Sequence, residues 1–240
     1  MTIYIFDMDG TLTPARLPMT SEFAADFYNW QQKHDNFLAT GSDFKKVKEQ
    51  LPELVINAFT GIYASMGNVL IAKGELIYQN LFKPRGELFS MLEDFRKQTR
   101  YTGELYPNYI EERTGMINFS VLGRNCPYEE RARYKAWDSI NKERENIAAK
   151  IRNAFPEYEV AVGGSISMDI TPLGFGKEQI ARHLRKTYPD DQIIFFGDKT
   201  FKGGNDYELA HELSQMDKTK VVQVENYMEV MTQLANYDNL

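Results

Sequence analysis

The sequence predicts an α/β protein built on a mostly parallel sheet and interrupted by a smaller α+β domain with an antiparallel sheet. Two observations predict the α/β part: short apolar runs such as IYIF and QIIFF occur near both ends of the chain, and helical patterns alternate with them. This alternation is typical of parallel strands covered by helices on both faces. A third observation predicts the insert, because segments such as GMINFSVLG alternate apolar and polar residues in the middle of the chain.

The first part of the chain supports this reading element by element. A strand is predicted over 3–6, and a helix over 21–33, where Phe23, Phe27 and Trp30 form one stripe at helical spacing. A second strand is predicted over 36–39, and Ser42 is predicted to cap the helix that follows it. The pattern GNVLIAKGELIY predicts a hairpin, and near the end of the chain QIIFF and KVVQV predict two further buried strands.

The middle of the chain reads differently. We expect a helix at about 84–100, a strand in GMINFSVLG and one long charged helix at about 128–154. In EVAVGGSISMDI, period-two alternation predicts that Ser165, Ser167 and Asp169 share the polar face of a strand. The predicted organisation is therefore a core formed by 1–81 and 175–240, with an inserted domain over 82–174.

Composition excludes several classes of function. The 240 residues carry a formal net charge of −6, which argues against a general nucleic-acid-binding protein. Neither a leader pattern nor a long apolar run is present, so the sequence predicts no membrane association and a cytoplasmic location. The single cysteine, Cys126, fits a reducing compartment. Three widely separated histidines argue against a zinc site and leave oxygen ligands for a metal.

Acidic residues follow two of the predicted strands. Asp7 and Asp9 come directly after the first strand, and the segment FFGDKTFKGGND places Asp198 and Asp206 after another. Because reacting groups in α/β proteins lie beyond the carboxyl ends of strands, these carboxylates are expected in one crevice, where only a cation such as Mg²⁺ would allow them to converge. Asp7 could then act as a nucleophile and Asp9 as a general acid and base. Turn and helix-cap roles are the alternative, but the same arrangement at both ends of the chain favours catalysis.

These motifs carry a resemblance to a known family. The chain resembles the haloacid dehalogenase superfamily of aspartate-based phosphotransferases in four places: DMDGT at 7–11, TGS at 40–42, the lysine at 177 and GDKTFKGGND at 197–206. The resemblance extends nearly end to end to the eukaryotic-type phosphomannomutases, through segments such as FDMDGTLTPAR, ERTGMINFSVLGRNC and GGSISMDITPLGFGK. The resemblance implies a haloacid dehalogenase-like Rossmannoid core with a parallel sheet, and an inserted α+β cap with an antiparallel sheet.

The resemblance implies roles for residues of the core. Asp7 would be the phosphorylated nucleophile, and Asp9 the general acid and base. Mg²⁺ would be held by Asp7, by the backbone carbonyl of Asp9 and by Asp198. Hydrogen bonds to the transferring phosphoryl group would come from Lys177 and from Thr40 or Ser42.

The resemblance also implies a substrate-binding set in the inserted domain. Arg113, Arg124 and Arg131 would clamp the phosphate that is not reacting, since guanidinium groups bind phosphate in a bidentate manner and stay charged. Arg16 would contribute from the core. Ser167 and Asp169 would contact the sugar, in keeping with the polar strand face predicted independently.

The function implied is interconversion of mannose 6-phosphate and mannose 1-phosphate through an aspartyl-phosphate and a hexose 1,6-bisphosphate, which also acts as activator. Such an enzyme supplies GDP-mannose synthesis, binds a small sugar phosphate and forms a homodimer through the cap. Three alternatives stay open at this point: a sugar-phosphate phosphatase with water as acceptor, a phosphoglucomutase, and a catalytically silent sugar-phosphate-binding or scaffold protein.

Overall fold

The computed structural model describes residues 1–237, so the predicted core segment 175–240 ends in three residues, 238–240, that lie outside the described part. The chain divides into two compact units. The core unit comprises Met1–Asn80 and the chain from Phe175 onward, and the inserted unit comprises Leu81–Gly174. The assignment of these units to catalysis and to substrate binding stays a prediction.

The strands form two separate sheets. Within the described residues, the strands are β1 (Thr2–Phe6), β2 (Asp35–Ala39), β3 (Gly61–Ala64), β4 (Val69–Ala72), β5 (Glu75–Gln79), β6 (Ile110–Arg113), β7 (Met116–Phe119), β8 (Tyr158–Gly163), β9 (Ser167–Pro172), β10 (Gln192–Gly197) and β11 (Thr219–Gln223). The core sheet has the order β11-β10-β1-β2-β3-β4-β5, and the sheet of the inserted unit has the order β6-β7-β9-β8.

The helices alternate with the strands in the core unit and cluster in the inserted unit. In the described chain, the α-helices are α1 (Ser21–Gln31), α2 (Phe44–Gln50), α3 (Glu53–Ala58), α4 (Gly86–Lys97), α5 (Tyr128–Asn141), α6 (Glu143–Ala154), α7 (Glu178–Thr187), α8 (Tyr207–Ser214) and α9 (Met228–Leu234). None of the helices within residues 1–237 is both long enough and apolar enough to cross a bilayer.

The core sheet is parallel from β11 to β3 and antiparallel at β4 and β5, the predicted hairpin. The predicted apolar stripe of α1 packs on it: the ring of Phe27 lies 5.1 Å from the ring of Phe6 on β1, and Trp30 is also buried. Because β1 is flanked by β10 and β2 and covered by apolar side chains, it is a central buried strand. The residue that follows β1 is thereby fixed at the carboxyl edge of the sheet.

The prediction of one long helix over 128–154 is wrong. Helix α5 ends at Asn141, and Lys142 adopts a left-handed backbone conformation with φ of 55° before α6 begins. Asp138 stabilises the break, because its carboxylate accepts a hydrogen bond from the backbone N–H of Arg144 and pairs with the Arg144 guanidinium at 2.7 Å. Both side chains of this ion pair are buried. The charged stretch contains no glycine or proline to mark the break.

Two smaller predictions also need correction. The segment EVAVGGSISMDI is a hairpin of β8 and β9, so Ser165 lies in the connecting turn rather than on a strand face, whereas Asp169 does lie on β9. The cap of α2 is Asp43 rather than Ser42, since the Asp43 carboxylate accepts the Lys46 N–H at 2.8 Å. Because the helix begins at Phe44, Asp43 rather than Ser42 stands at the N-cap position, and either residue type is a favourable cap.

Candidate active site

Asp7 lies directly beyond β1 and is buried, with a side chain 2% exposed. Its backbone N–H donates to the carbonyl of Phe196 on the parallel neighbour β10, which ends next to Asp198. Gly10 makes this approach possible: its φ is +97°, and a Cβ there would lie 2.4 Å from Oδ2 of Asp198. A side chain here would force the Asp198 carboxylate to move and would adopt a strained backbone conformation, so the aspartate loop favours glycine at this position.

Lys177 joins two of the carboxylates. It precedes α7, its side chain is fully buried, and its Nζ donates to Oδ1 of Asp7 at 2.6 Å and to Oδ1 of Asp206 at 2.7 Å. Burial alone would lower the pKa of Lys177, but the charges of Asp206 and Asp7 outweigh it, so the pKa is raised and the ammonium group stays charged. Asp206 is also fully buried. The sequence predicted Asp206 in this crevice but did not indicate its contact with Lys177.

The acidic cluster has the chemistry of a divalent-cation site. Asp7, Asp198 and Asp206 offer oxygen atoms that all lie within 4.8 Å of one another. Oδ2 of Asp7 and Oδ1 of Asp198 are buried and have no hydrogen-bond partner within residues 1–237. Burial, followed by the charge of Asp206, raises the pKa of Asp7 to about 8, and burial raises the pKa of Asp198. A cation bound to the two orphan oxygens would remove this penalty, so the residues present fit such a group.

Asp9 is oriented separately from the cluster. Its Oδ1 accepts the backbone N–H of Arg16 at 2.6 Å and the side-chain amide of Gln50 at 3.0 Å. Gln50 is buried at the end of α2, and no feature of the sequence had indicated it. The predicted residue Arg16 therefore meets Asp9 through its backbone, while its side chain is exposed.

Thr40 and Ser42 follow β2, the other neighbour of β1. Thr40 is buried, and its hydroxyl accepts the backbone N–H of Ser42 at 3.1 Å. The carbonyl of Ser42 accepts the N–H of Ser65, which anchors this turn to the segment after β3. Because β1 and β2 are parallel, the turn lies at the same edge of the sheet as Asp7.

The structure brings the predicted polar residues of the inserted unit together. Arg124 lies between β7 and α5 and donates through Nη1 to Oδ1 of Asn118 at 2.7 Å and to Oγ of Ser167 at 3.3 Å. Asn118 in turn donates to Asp169 at 2.6 Å. The guanidinium of Arg131, on α5, donates to the backbone carbonyl of Arg124. We call this set the arginine cluster. It comprises Arg113 at the end of β6, Asn118, Arg124, Arg131, Ser167 and Asp169.

The charges within the arginine cluster influence one another. The pKa of Arg124 is lowered by burial and then by the like charge of Arg113, with a smaller effect from Arg131. Burial raises the pKa of Asp169, and the hydrogen bond from Asn118 opposes that rise. The cluster therefore combines three cations with a polar strand, an arrangement suited to a phosphorylated polar ligand.

Sequence reasoning missed an acidic residue that contacts the arginine cluster. Glu111 lies on β6 and contacts both Arg113 and Arg124. It stands two residues before Arg113, so the period-two rule for strands would have placed the two side chains on one face. Asn118 was also missed, although it lies on β7 opposite both Glu111 and Asp169.

Comparison with known proteins places the chain in a family. Residues 24–236 match the family model of eukaryotic phosphomannomutase. The chain is similar to phosphomannomutase 2 of Dictyostelium discoideum, at 35% identity over 88% of this chain and 87% of that protein. It is also similar to the phosphomannomutase of Spinacia oleracea, at 38% identity over 86% of this chain and 85% of that protein.

The fold has its own parallel among solved structures. A haloacid dehalogenase-like hydrolase from Bacteroides thetaiotaomicron superposes with a TM-score of 0.62 at 14% identity, covering 100% of this chain and 99% of that one. This similarity confirms the predicted α/β fold class. Sequence and fold thus agree: the chain belongs to the eukaryotic phosphomannomutase family and has the haloacid dehalogenase-like fold.

Proposed function

We propose that this protein is a phosphomannomutase that interconverts mannose 6-phosphate and mannose 1-phosphate. The observation that carries the proposal is the presence of two distinct groups suited to phosphate, one in each unit. The core unit holds Asp7 next to Lys177 and two buried carboxylate oxygens without partners. The inserted unit holds the arginine cluster. A substrate that carries phosphate at either end of a sugar needs both.

Mg²⁺ is the cofactor we propose for the core unit. Asp7, Asp198 and the backbone carbonyl of Asp9 would hold it, in keeping with the two orphan oxygens of Asp7 and Asp198. When bound, the ion supplies positive charge that reduces the repulsion between a phosphate dianion and the attacking carboxylate.

The first chemical step is phosphoryl transfer from hexose 1,6-bisphosphate to the protein. A carboxylate oxygen of Asp7 forms a bond to phosphorus, and the bond from phosphorus to the sugar oxygen breaks. Asp9 gives that oxygen a proton, and Gln50 and the backbone of Arg16 hold Asp9 in place for this role. Lys177 stabilises the charge on the transferring group, and Thr40 or Ser42 donates a hydrogen bond to it.

The second step transfers the phosphoryl group from Asp7 to the free hydroxyl of a bound hexose monophosphate. That hydroxyl oxygen forms a bond to phosphorus, the bond from phosphorus to Asp7 breaks, and Asp9 accepts the hydroxyl proton, so that hexose 1,6-bisphosphate forms. The phosphate that is not reacting is bound by Arg113, Arg124 and Arg131, and Arg16 contributes from the core unit. The sugar hydroxyls are contacted by Ser167 and Asp169. After the hexose 1,6-bisphosphate has turned round, its phosphorylated ends have exchanged places. Transfer of its other phosphoryl group to Asp7 then releases the isomeric monophosphate and restores the aspartyl-phosphate for the next cycle. Added hexose 1,6-bisphosphate activates the enzyme because it phosphorylates Asp7 at the start.

Three wider features belong to the same proposal. The product mannose 1-phosphate would supply GDP-mannose synthesis, and the protein would work in the cytoplasm. It would form a homodimer through the inserted unit, where α4 carries partly exposed apolar side chains such as Phe89 and Met91. Light scattering tests the dimer, which predicts twice the chain mass of 27.8 kDa.

A coupled mutase assay tests the function. Enzyme, Mg²⁺, mannose 1-phosphate and a trace of hexose 1,6-bisphosphate should yield mannose 6-phosphate, and parallel runs with glucose 1-phosphate measure the sugar preference. Asp7→Asn should abolish turnover, whereas Asp26→Asn, on the exposed face of α1, should not change it. Arg124→Ala should raise KM while the chemistry at Asp9 continues.

Other outcomes would favour the alternatives. Accumulation of inorganic phosphate and free mannose would indicate a phosphatase. Undiminished turnover by Asp7→Asn would point to a different nucleophile, and faster turnover of glucose 1-phosphate would indicate a phosphoglucomutase. No turnover of either sugar by the wild type would contradict the proposal.

A further inference from the structure

The arginine cluster already contains an anion of its own. Oε2 of Glu111 accepts a hydrogen bond from Nε of Arg113 at 2.8 Å and a second one from Nη2 of the same guanidinium. The same carboxylate oxygen lies 3.2 Å from Nε of Arg124. One carboxylate therefore bridges the two arginines whose donors the proposed phosphate contact requires.

This geometry resembles that of a bound phosphate oxygen. Guanidinium groups form the same paired N–H···O contacts with carboxylate as with phosphate, so an incoming phosphate must compete with Glu111 for these donors. The side chain of Glu111 is 44% exposed, compared with 22% for Arg113 and 29% for Arg124. Because it reaches solvent, Glu111 can turn away from the arginines without leaving a buried charge unpaired.

The charge balance of the arginine cluster gives Glu111 a role both without and with a bound phosphate. Arg113, Arg124 and Arg131 contribute three positive charges, which Glu111 and Asp169 offset in part. Without a ligand, Glu111 reduces the repulsion among guanidinium groups that lie close together. With phosphate bound, the same carboxylate opposes the ligand and makes its release easier.

We propose that Glu111 is an exchangeable internal anion: it occupies Arg113 and Arg124 when no phosphate is bound, and it takes them back when the bisphosphate intermediate must leave the cluster to turn round. The proposal rests on the mutase function proposed above. A cluster that only bound tightly would hold the intermediate in one orientation. When the phosphate leaves, the nearby carboxylate of Glu111 replaces its contacts with the arginines, and this favours release of the intermediate. Glu111 is thus a positioning residue that acts through the arginines.

Replacement of Glu111 by glutamine tests the proposal. E111Q keeps the shape of the side chain and removes its charge. E112Q is the matched control, because Glu112 is the next residue on β6, carries the same charge and has an exposed side chain. Binding of mannose 6-phosphate, without bisphosphate, is measured by titration calorimetry on the full chain. We expect E111Q to bind roughly fivefold more tightly than the wild type, and E112Q to stay within about twofold.

Turnover gives the second readout. In E111Q both KM and kcat should fall, because the phosphate is held more firmly and the intermediate is released more slowly. A residue that only aligned the arginines would instead give weaker binding and a higher KM. That result, or an E111Q affinity equal to that of E112Q, would overturn the proposal.

Two controls keep the outcome readable. Thermal unfolding of E111Q and E112Q verifies that both fold, and E111A provides a second variant that must also bind more tightly. If the wild type shows no mutase turnover, the proposed function fails, whereas the calorimetric comparison still decides whether Glu111 competes with phosphate.

Discussion

Gly123→Ala offers a sharp test of how the fold positions the arginine cluster. Gly123 immediately precedes Arg124 and has a φ of +90°. A Cβ at this position would lie 1.9 Å from the carbonyl oxygen of Tyr106 and 2.8 Å from that of Pro107. These neighbours are backbone atoms, so they cannot rotate away as a side chain can. The segment is also held by the hydrogen bond from the Arg124 N–H to the carbonyl of Asn108, at 3.1 Å.

The magnitude follows from two contributions. The left-handed backbone costs an alanine about 1–2 kcal/mol. The clash requires a shift of more than about 1 Å to reach the shortest distance that real Cβ atoms show. Such a shift breaks one or two backbone hydrogen bonds, each of which contributes about 1 kcal/mol to stability. Gly123→Ala should therefore destabilise the inserted unit by about 3 kcal/mol. Displacement of Arg124 should also raise KM by at least about tenfold, the loss expected for a charge-assisted contact.

Gly74→Ala is the matched control. Gly74 has a φ of +78° in the turn between β4 and β5, and apart from Gly74 and its chain neighbours no atom of residues 1–237 lies within 4 Å of the position that a Cβ would occupy. It should therefore cost only the backbone contribution of about 1–2 kcal/mol, with KM unchanged. Urea unfolding and steady-state kinetics measure both variants. Equal losses of stability in the two, or an unaltered KM in Gly123→Ala, would refute the reasoning.

Three further predictions concern the ion pair, pH and the metal. Asp138→Asn should destabilise the protein by about 3 kcal/mol in urea unfolding, because it removes the buried carboxylate charge that pairs with the guanidinium of Arg144, whereas exposed Asp94→Asn should have little effect. Burial and the charge of Lys186 lower the pKa of His183, so the unfolded chain binds more protons than the folded one. Thermal stability should therefore fall as the pH drops below about 6.5, and His183→Gln should lose this dependence. An unchanged dependence of stability on pH in His183→Gln would contradict the prediction. Chelation of divalent ions should abolish mutase turnover and added Mg²⁺ restore it, whereas activity that survives exhaustive chelation would contradict the metal assignment.

The strand-end aspartates show how far local pattern carries. The short apolar runs before Asp7 and Asp198 are typical of buried strands in a sheet covered on both faces, and β1 and β10 are indeed parallel neighbours. The stripe of Phe23, Phe27 and Trp30 was equally readable, because helical periodicity and burial are both local properties of the chain.

The break between α5 and α6 shows where local pattern ends. Nothing in the charged stretch forbids a continuous helix, and Lys142 is an ordinary helix former. At the break Asp138 and Arg144 pair in a buried position, which a continuous helix would not allow because residues six apart do not face each other on it.

Sequence alone determined which residues stand at strand ends, which faces are apolar and in which order the motifs follow, since these depend on periodicity and on neighbours in the chain. Tertiary structure alone decided the partners: Lys177 reaches Asp7 across 170 positions, and Gln50 reaches Asp9 across 41. Such contacts follow from the path of the backbone through the sheet. The sequence around a polar side chain does not indicate which distant group will form its hydrogen bonds.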